Sequence, residues 1–326
     1  MASFVRIGVW LAGMLLASSC GGTDSTPPGS SGGPADGGGG GTDGSPVNGS
    51  DGGGGIDAPV DLDAAPGASC PTKTDATQGV HIIMKVSWPG TIGTNPGNGT
   101  VHVWTRSKLT YGAGNTITAV NGACGSVVPE VQTTPIAGGG KVLPEFPPPV
   151  WEAAVKTTFT GTGAQSSFDV NSKVHLDASP VLIGLTMADP KGPWPALADV
   201  QSTDADGDGH PGITAIPRSG GGYALPPTSL LQTAHADQLY IVSRTTTTLD
   251  GVRDTCDSQK GTANVAAFDN HVVGCHIQGG GDCAAADYQF VDQNRTVFAV
   301  ASATFEAKVV PDGATCADVR AALPAQ

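Results

Sequence analysis

Glutamate is nearly missing from this chain. Its 326 residues contain four, Glu130, Glu145, Glu152 and Glu306, none of them in a distinctive setting. Glycoside hydrolysis needs paired carboxylates, usually with Glu among them, so that chemistry has no support. Lysine and arginine are scarce as well, 16 against 29 Asp and Glu, for a net charge of −13. No cationic cluster with interleaved aromatics occurs, and an acidic surface repels phosphates, so nucleic acid is excluded as an expected partner. The apolar run from Ile7 to Ala17 is too short to span a bilayer as a helix. The chain also lacks a G-x-S-x-G elbow, an HExxH helix, a P-loop and a dinucleotide-type glycine fingerprint. It has no C-x2-C pair, the usual start of a zinc framework. These gaps leave an enzyme without motif support, although a Ser/His/Asp set assembled only in space is invisible to sequence.

What is present begins with an export signal over residues 1–19. One cation, Arg6, precedes the run from Ile7 to Ala17, which is the length of a signal-peptide core. The run ends in "LLASSC". This resembles the lipobox of bacterial lipoproteins, although Ala17 stands where that family has Leu. The resemblance implies that Cys20 is lipidated and becomes the mature N-terminus. Ala17-Ser18-Ser19 also fits the small-residue rule for ordinary cleavage at the same bond. The next stretch, Gly21 to Ser69, holds 17 Gly and seven Asp among 49 residues, with no Lys, Arg, Glu or aromatic. It has too little apolar surface to offset the entropy of ordering, so it reads as a disordered tether. As a flexible coil its ends would lie roughly 35–42 Å apart. A lipid-anchored protein uses such a leash to hold a domain off the membrane. Gly21 stands where an Asp would mark retention at the inner membrane, so the resemblance implies the outer membrane and cell surface of a Gram-negative bacterium. The sequons at Asn48, Asn98 and Asn294 carry no meaning in that setting.

Setting Cys20 aside for the lipid leaves six cysteines: Cys70, Cys124, Cys256, Cys275, Cys283 and Cys316. An even set in an exported chain reads as three disulfides. "HVVGCHIQGGGDC" places His271, Cys275, His276 and Cys283 close together. A metal cluster there competes with a bridge between Cys275 and Cys283 across a Gly-rich hairpin turn, and the short span favours the bridge. The other two pairings are open at this level.

Residues 70–326 read as a single β-rich domain, because most apolar stretches alternate with a period of two. In "VHIIMKVSW", Val80, Ile82, Met84, Val86 and Trp88 share a face; in "TVFAVASATFEAKVV", so do Val297, Ala299, Ala301, Ala303, Phe305, Ala307 and Val309. "TVHVWTRSKLTY", "SKVHLDASPVLIGLTM" and "LYIVSRTTTTL" are rich in β-branched and aromatic residues. His81, His102 and His175 lie in such strand-like runs, where a structural role is the default. One short C-terminal helix is expected in "TCADVRAALP", from its Thr315…Asp318 capping pattern. "PEFPPPVW" reads as an extended Pro-rich crossover. The expected fold is an antiparallel β-sandwich or β-barrel stapled by disulfides.

The most chemically pointed stretch is "DADGDGHPGIT", residues 204–214. Against a calcium loop of the EF-hand type, Asp204, Asp206 and Asp208 fall at positions 1, 3 and 5. Gly209 supplies the turn, and His210 offers its backbone carbonyl at position 7. Carboxylates at every second residue converge on a hard cation when the chain turns around a point. Position 12 is Ala215 rather than Glu, so a further ligand would come from elsewhere, with Asp199, Asp189 or Asp237 as candidates. The competing reading is an Asx-turn loop, rich in Asp and Gly because tight turns favour them.

"GLTMADPKGPWPALADVQSTDADGDGHPGIT", followed by "LYIVSRTTTTLDG", resembles a group of uncharacterised myxobacterial lipoproteins whose tethered β-domains carry a similar aspartate loop. That likeness covers residues 180–316 and implies a location and a fold type, not a reaction. Three function classes follow. The first is a cell-surface β-module, stiffened by disulfides and calcium, that binds a polymer or a partner protein. The second is a β-barrel that carries a small apolar ligand, and the third is a hydrolase with an unrecognised site. A flat closed body favours the first, an apolar interior cavity the second, and a cleft of converging His, Asp and Ser the third.

Overall fold

The computed structural model describes residues 67–91, 94–132, 134, 141–217, 222–225 and 234–325. The expected signal, Cys20 and the expected tether up to residue 66 lie outside them. The β-rich expectation holds, and the strand pairing selects between its two forms. We label the principal strands β1 (Asp75–Trp88), β2 (Gly97–Tyr111), β3 (Thr116–Val127), β4 (Thr158–Gln165) and β5 (Lys173–Ile183). They are followed by β6 (Ile213–Pro217), β7 (His235–Thr255), β8 (Ser258–Ile277) and β9 (Ala299–Val309). β1 to β5 pair in chain order, β5 pairs with β7, β7 with β8, β8 with β9, and β9 returns to β1. Every pairing is antiparallel. The ring of eight strands is closed, so this is a barrel and not a sandwich. Closure removes the unpaired edges that an open sheet would present.

The alternation on β1 is realised: Val80, Ile82, Met84, Val86 and Trp88 are all buried, packed with Phe305 and Ala307 of β9. On β9 the expected face is correct only in part. Ala303, Phe305 and Ala307 are buried, but Ala299 and Ala301 are exposed and Val297 is 57% exposed. The pairing slips there, from Lys85↔Ser302 to Val86↔Val300, so Ala301 is an unpaired extra residue. Such a bulge reverses which residues face inward, and Phe298 and Val300 pack on the core in place of their neighbours.

Among the described residues three α-helices accompany the barrel, two more than expected. α1 (Pro148–Ala154) falls in the stretch expected to be extended. Its prolines occupy the first helical positions, where no N–H is needed and the fixed φ suits a helix. α2 (Ala285–Gln293) has weak apolar periodicity and is held by tertiary contacts, chiefly the Asp292 carboxylate on the Val272 N–H of β8. α3 (Cys316–Ala322) is the expected C-terminal helix, with a capping box between Thr315 and Asp318. It lies against β1, β2 and β3, where Val319 and Leu323 pack with Trp104, and the Trp104 indole donates to the Leu323 carbonyl at 2.7 Å.

The six cysteines form three disulfides, Cys70–Cys256, Cys124–Cys316 and Cys275–Cys283. The short bridge is the one expected from its spacing. The Cys–His metal cluster is thereby excluded, since both of its sulfurs are bonded to each other. The Pro190–Gly192 segment is pinned outside β7 by Arg244, which is 6% exposed. Its guanidinium donates to Asp269 and to the carbonyls of Pro190 and Gly192, and lies 5.5 Å over the Trp194 ring.

Candidate functional site: an apolar lumen and an aspartate loop

An eight-stranded barrel is just wide enough to be filled by its own side chains or to keep room for one small ligand. Here the space is kept at one end. β8 pairs with β9 only as far as Thr262↔Thr304, and from there to Ile277 it pairs with β7 alone. The seam this opens is closed by α2 and the segment after it, through Phe290, Val291, Asn294 and Phe298. The cavity they line measures about 270 Å³. Its wall on β7 is Leu239, Ile241, Ser243, Thr245 and Thr247, every second residue, while Tyr240, Val242 and Arg244 point outward into the loops covering the barrel. Val103, Val181, Ile183 and Ile213 continue the apolar wall.

The polar groups of the cavity gather near α2. His271 is stacked on Trp194, with ring centroids 4.4 Å apart. Its Nδ1 lies 3.2 Å from the Asp292 carboxylate and its Nε2 is 3.1 Å from Arg295. Arg295 also donates to the Asp292 carbonyl and carboxylate, at 2.7 and 3.3 Å. The buried carboxylate therefore has a cation and a backbone N–H, as a buried charge requires. Tyr223, on the short strand Tyr223–Ala224 beside β7, lines the same cavity, and its buried hydroxyl has no hydrogen-bond partner among the described residues. Burial alone pushes that phenol well above the usual tyrosine range.

The aspartate loop lies outside the barrel, on the approach to β6. Carboxylate oxygens of Asp204, Asp206 and Asp208 come within 4.8 Å of one another. The loop is tied at its base by Ala205 N–H to the Gly212 carbonyl and Gly212 N–H to the Thr203 carbonyl. Gly212 has φ +87°, and a side chain there would run into the backbone of Ile241. Asp204 accepts from the N–H groups of Gly207 and Gly209, Asp206 from Thr214, and Asp208 from His210 and the Thr214 hydroxyl. One Asp206 oxygen, Oδ1, is buried with no partner. Burial raises the Asp206 carboxyl pKa, and the charges of Asp208 and Asp204 add to the rise. Burial works against Asp204 too, but the Gly209 and Gly207 N–H groups outweigh it and leave that carboxyl more acidic than usual.

The three aspartates singled out from sequence are therefore together. The His210 side chain is not among them: it stacks on Tyr240 at 4.3 Å, so only its backbone is left to serve the loop. Asp199, Asp189 and Asp237 do not join the cluster either, and Asp237 accepts from His276 at 2.7 Å. Position 12, Ala215, is fully buried in β6 opposite Leu239.

His81 and His102 form a buried pair, Nε2 to Nδ1 at 2.9 Å, stacked beside Trp104. His175 lies on the barrel exterior between Asp250 and Asp177. Among the described residues no serine hydroxyl is hydrogen-bonded to a histidine. Sequence reasoning named His271 only in the Cys–His cluster and missed the lumen residues Arg295 and Tyr223. A usable signal was present in β7, where Ser243, Thr245 and Thr247 put small polar groups on the face that carries Leu239 and Ile241. Comparison with family models, curated proteins and solved structures returns no match.

Proposed function

We propose that this protein is an exported, lipid-anchored binding protein that holds one small, largely apolar molecule in the lumen of its β-barrel. The observation that carries the reading is the cavity of about 270 Å³ inside a closed ring of strands. Small-molecule sites are concave, mostly apolar and furnished with a few placed polar groups, and this volume lies near the lower edge of their usual ~300–1,000 Å³. Of the three classes open from sequence, the cavity favours the carrier over the surface module for a polymer or partner protein and over the hydrolase. The test uses the full chain with Cys20→Ser, purified without detergent. Native mass spectrometry should find a co-purifying small molecule, and a neutral naphthylamine dye should bind at one saturable site. Thr245→Phe, which puts a ring into the lumen, should weaken the dye at least tenfold with the fold intact. A non-saturable dye signal, or equal affinity in the variant, overturns the reading.

The anchor belongs to the same proposal and rests on "LLASSC" and the Gly/Asp tether. A fatty-acid label fed to expressing cells should mark the wild type and not Cys20→Ser; equal marking of both removes the anchor.

We further propose a structural calcium ion on Asp204, Asp206 and Asp208. The convergence of their oxygens, the unpartnered Asp206 Oδ1, and the burial and then mutual repulsion that raise the Asp206 pKa support it. Carboxylate oxygens suit calcium. With Ala215 in place of a closing Glu, affinity should sit near ~10⁻⁴–10⁻³ M, the range of extracellular modules. An ion that binds only the folded form at tenfold over its dissociation constant stabilises by about 1.4 kcal/mol. Millimolar calcium should therefore raise the melting midpoint of the wild type above its value in chelator and leave Asp206→Ala nearly unmoved. Identical wild-type melts in calcium and chelator reduce the stretch to a turn.

A further inference from the structure

We propose that the lumen selects an uncharged molecule, mostly hydrocarbon, that carries one hydrogen-bond acceptor oxygen, a carbonyl or an ester, and that the Tyr223 hydroxyl donates to it. This rests on the lumen being a binding site. The Tyr223 hydroxyl is buried, lines the cavity and has no partner among the described residues. An unmade hydrogen bond on a buried hydroxyl costs free energy, and a ligand oxygen placed there recovers it. Tyr223 packs among Leu225, Ala236, Leu239, Val272 and Val291, so the group that meets it is otherwise surrounded by hydrocarbon.

The choice of an uncharged acceptor over a carboxylate follows from the charges around the lumen. Among the described residues that line it, Arg295 is the one fixed charge, and that charge is already committed to Asp292, which also takes the Val272 N–H and faces His271. The pole near α2 is thus an internally balanced ion pair. A ligand carboxylate would bring a second negative charge with no second cation, and an unpaired buried charge is heavily penalised. The Tyr223 phenol experiences the same environment, since burial alone raises its pKa. An environment that resists a tyrosinate also resists a carboxylate beside it. At the ~30 Å³ that a water molecule occupies in the liquid, the cavity has room for about nine heavy atoms.

The test uses octane, 2-octanone and octanoate at pH 7, titrated into the full chain with Cys20→Ser and into the same protein with Tyr223→Phe. The ketone should bind the wild type and lose roughly fivefold to tenfold in affinity in Tyr223→Phe, the worth of one hydrogen bond. Octane should bind both proteins within a factor of two, which also shows that the variant keeps its lumen. Octanoate should bind the wild type at least tenfold more weakly than the ketone, a comparison that needs no variant. Equal losses for ketone and octane, no loss for the ketone, or octanoate tighter than the ketone overturns the assignment while leaving the lumen a binding site. If none of the three binds the wild type, the lumen reading falls with it.

Discussion

Replacing Cys124 and Cys316 together by alanine should lower the free energy of unfolding by about 5 kcal/mol, roughly twice the loss on removing Cys275 and Cys283. The asymmetry comes from span. Cys124–Cys316 joins residues 192 apart in sequence and Cys275–Cys283 joins residues 8 apart. In the chain-entropy picture a bridge acts by restricting the unfolded ensemble, and the restriction grows with the logarithm of the loop it closes. Burial adds to the effect of the long bridge. Both of its sulfurs are inaccessible, in a cluster with Trp104, Trp151 and Val319, so alanines there also leave packing gaps. Cys70–Cys256, 186 apart, overlaps the same span, so the losses for the two long bridges should not add. Urea denaturation of the three double variants measures all of this. Equal losses for the long and short bridges would show that span is not what matters. The same burial makes Cys124–Cys316 the last bridge to yield to a mild reductant, since reagent reaches it only after α3 leaves β2 and β3.

The sequence showed faces more readily than partners. Alternation on Val80 to Trp88 identified an inward row because burial on one side of a strand imposes a period of two on any sheet. Alternation says nothing of which strand lies beside which, so sandwich and barrel could not be separated until β9 was seen to pair with both β1 and β8. The Ala301 bulge defeated the reading of β9, since one extra residue inverts every face before it while leaving composition unchanged. α3 was legible because capping is local: Thr315 and Asp318 satisfy each other within one turn. α2 was not, because what holds it is Asp292 on a strand N–H twenty residues earlier.

The two candidate sites divide along the same line. The aspartate loop is written in consecutive residues, so its three carboxylates could be named in advance. The lumen is assembled from β2, β3, β5, β6, β7, β8 and α2, and the side chains each contributes look unremarkable alone. Tyr223 is the sharpest case. Its chemical weight lies in the missing partner of its hydroxyl, which only the assembled neighbourhood reveals.

Acid should weaken the barrel well before its carboxylates are protonated, through His81. This histidine is 1% exposed, bonded to His102 and stacked on Trp104, and its Nδ1 is buried without a partner. Burial disfavours the imidazolium and His102 beside it adds to the effect, lowering its pKa to about 4. His102 is lowered as well, by burial and then by Lys85. The sign follows from proton counts. Unfolded His81 takes up its proton near pH 6.5, and folded His81 resists until about pH 4, so between these values the unfolded chain binds more protons and stability drops as the pH falls. At about 1.4 kcal/mol for each unit of difference, the full loss from His81 comes to roughly 3.5 kcal/mol. His175 and His276 act in the opposite sense, since hydrogen bonds to Asp250 and Asp237 raise their pKa values. They are solvated on the barrel exterior, where such pairs are screened and contribute little. Urea midpoints at pH 7 and pH 4.5 should therefore differ strongly in the wild type and much less in His81→Phe, whose ring keeps the stack on Trp104 but takes up no proton. Equal losses in the two proteins would move the acid sensitivity to another group.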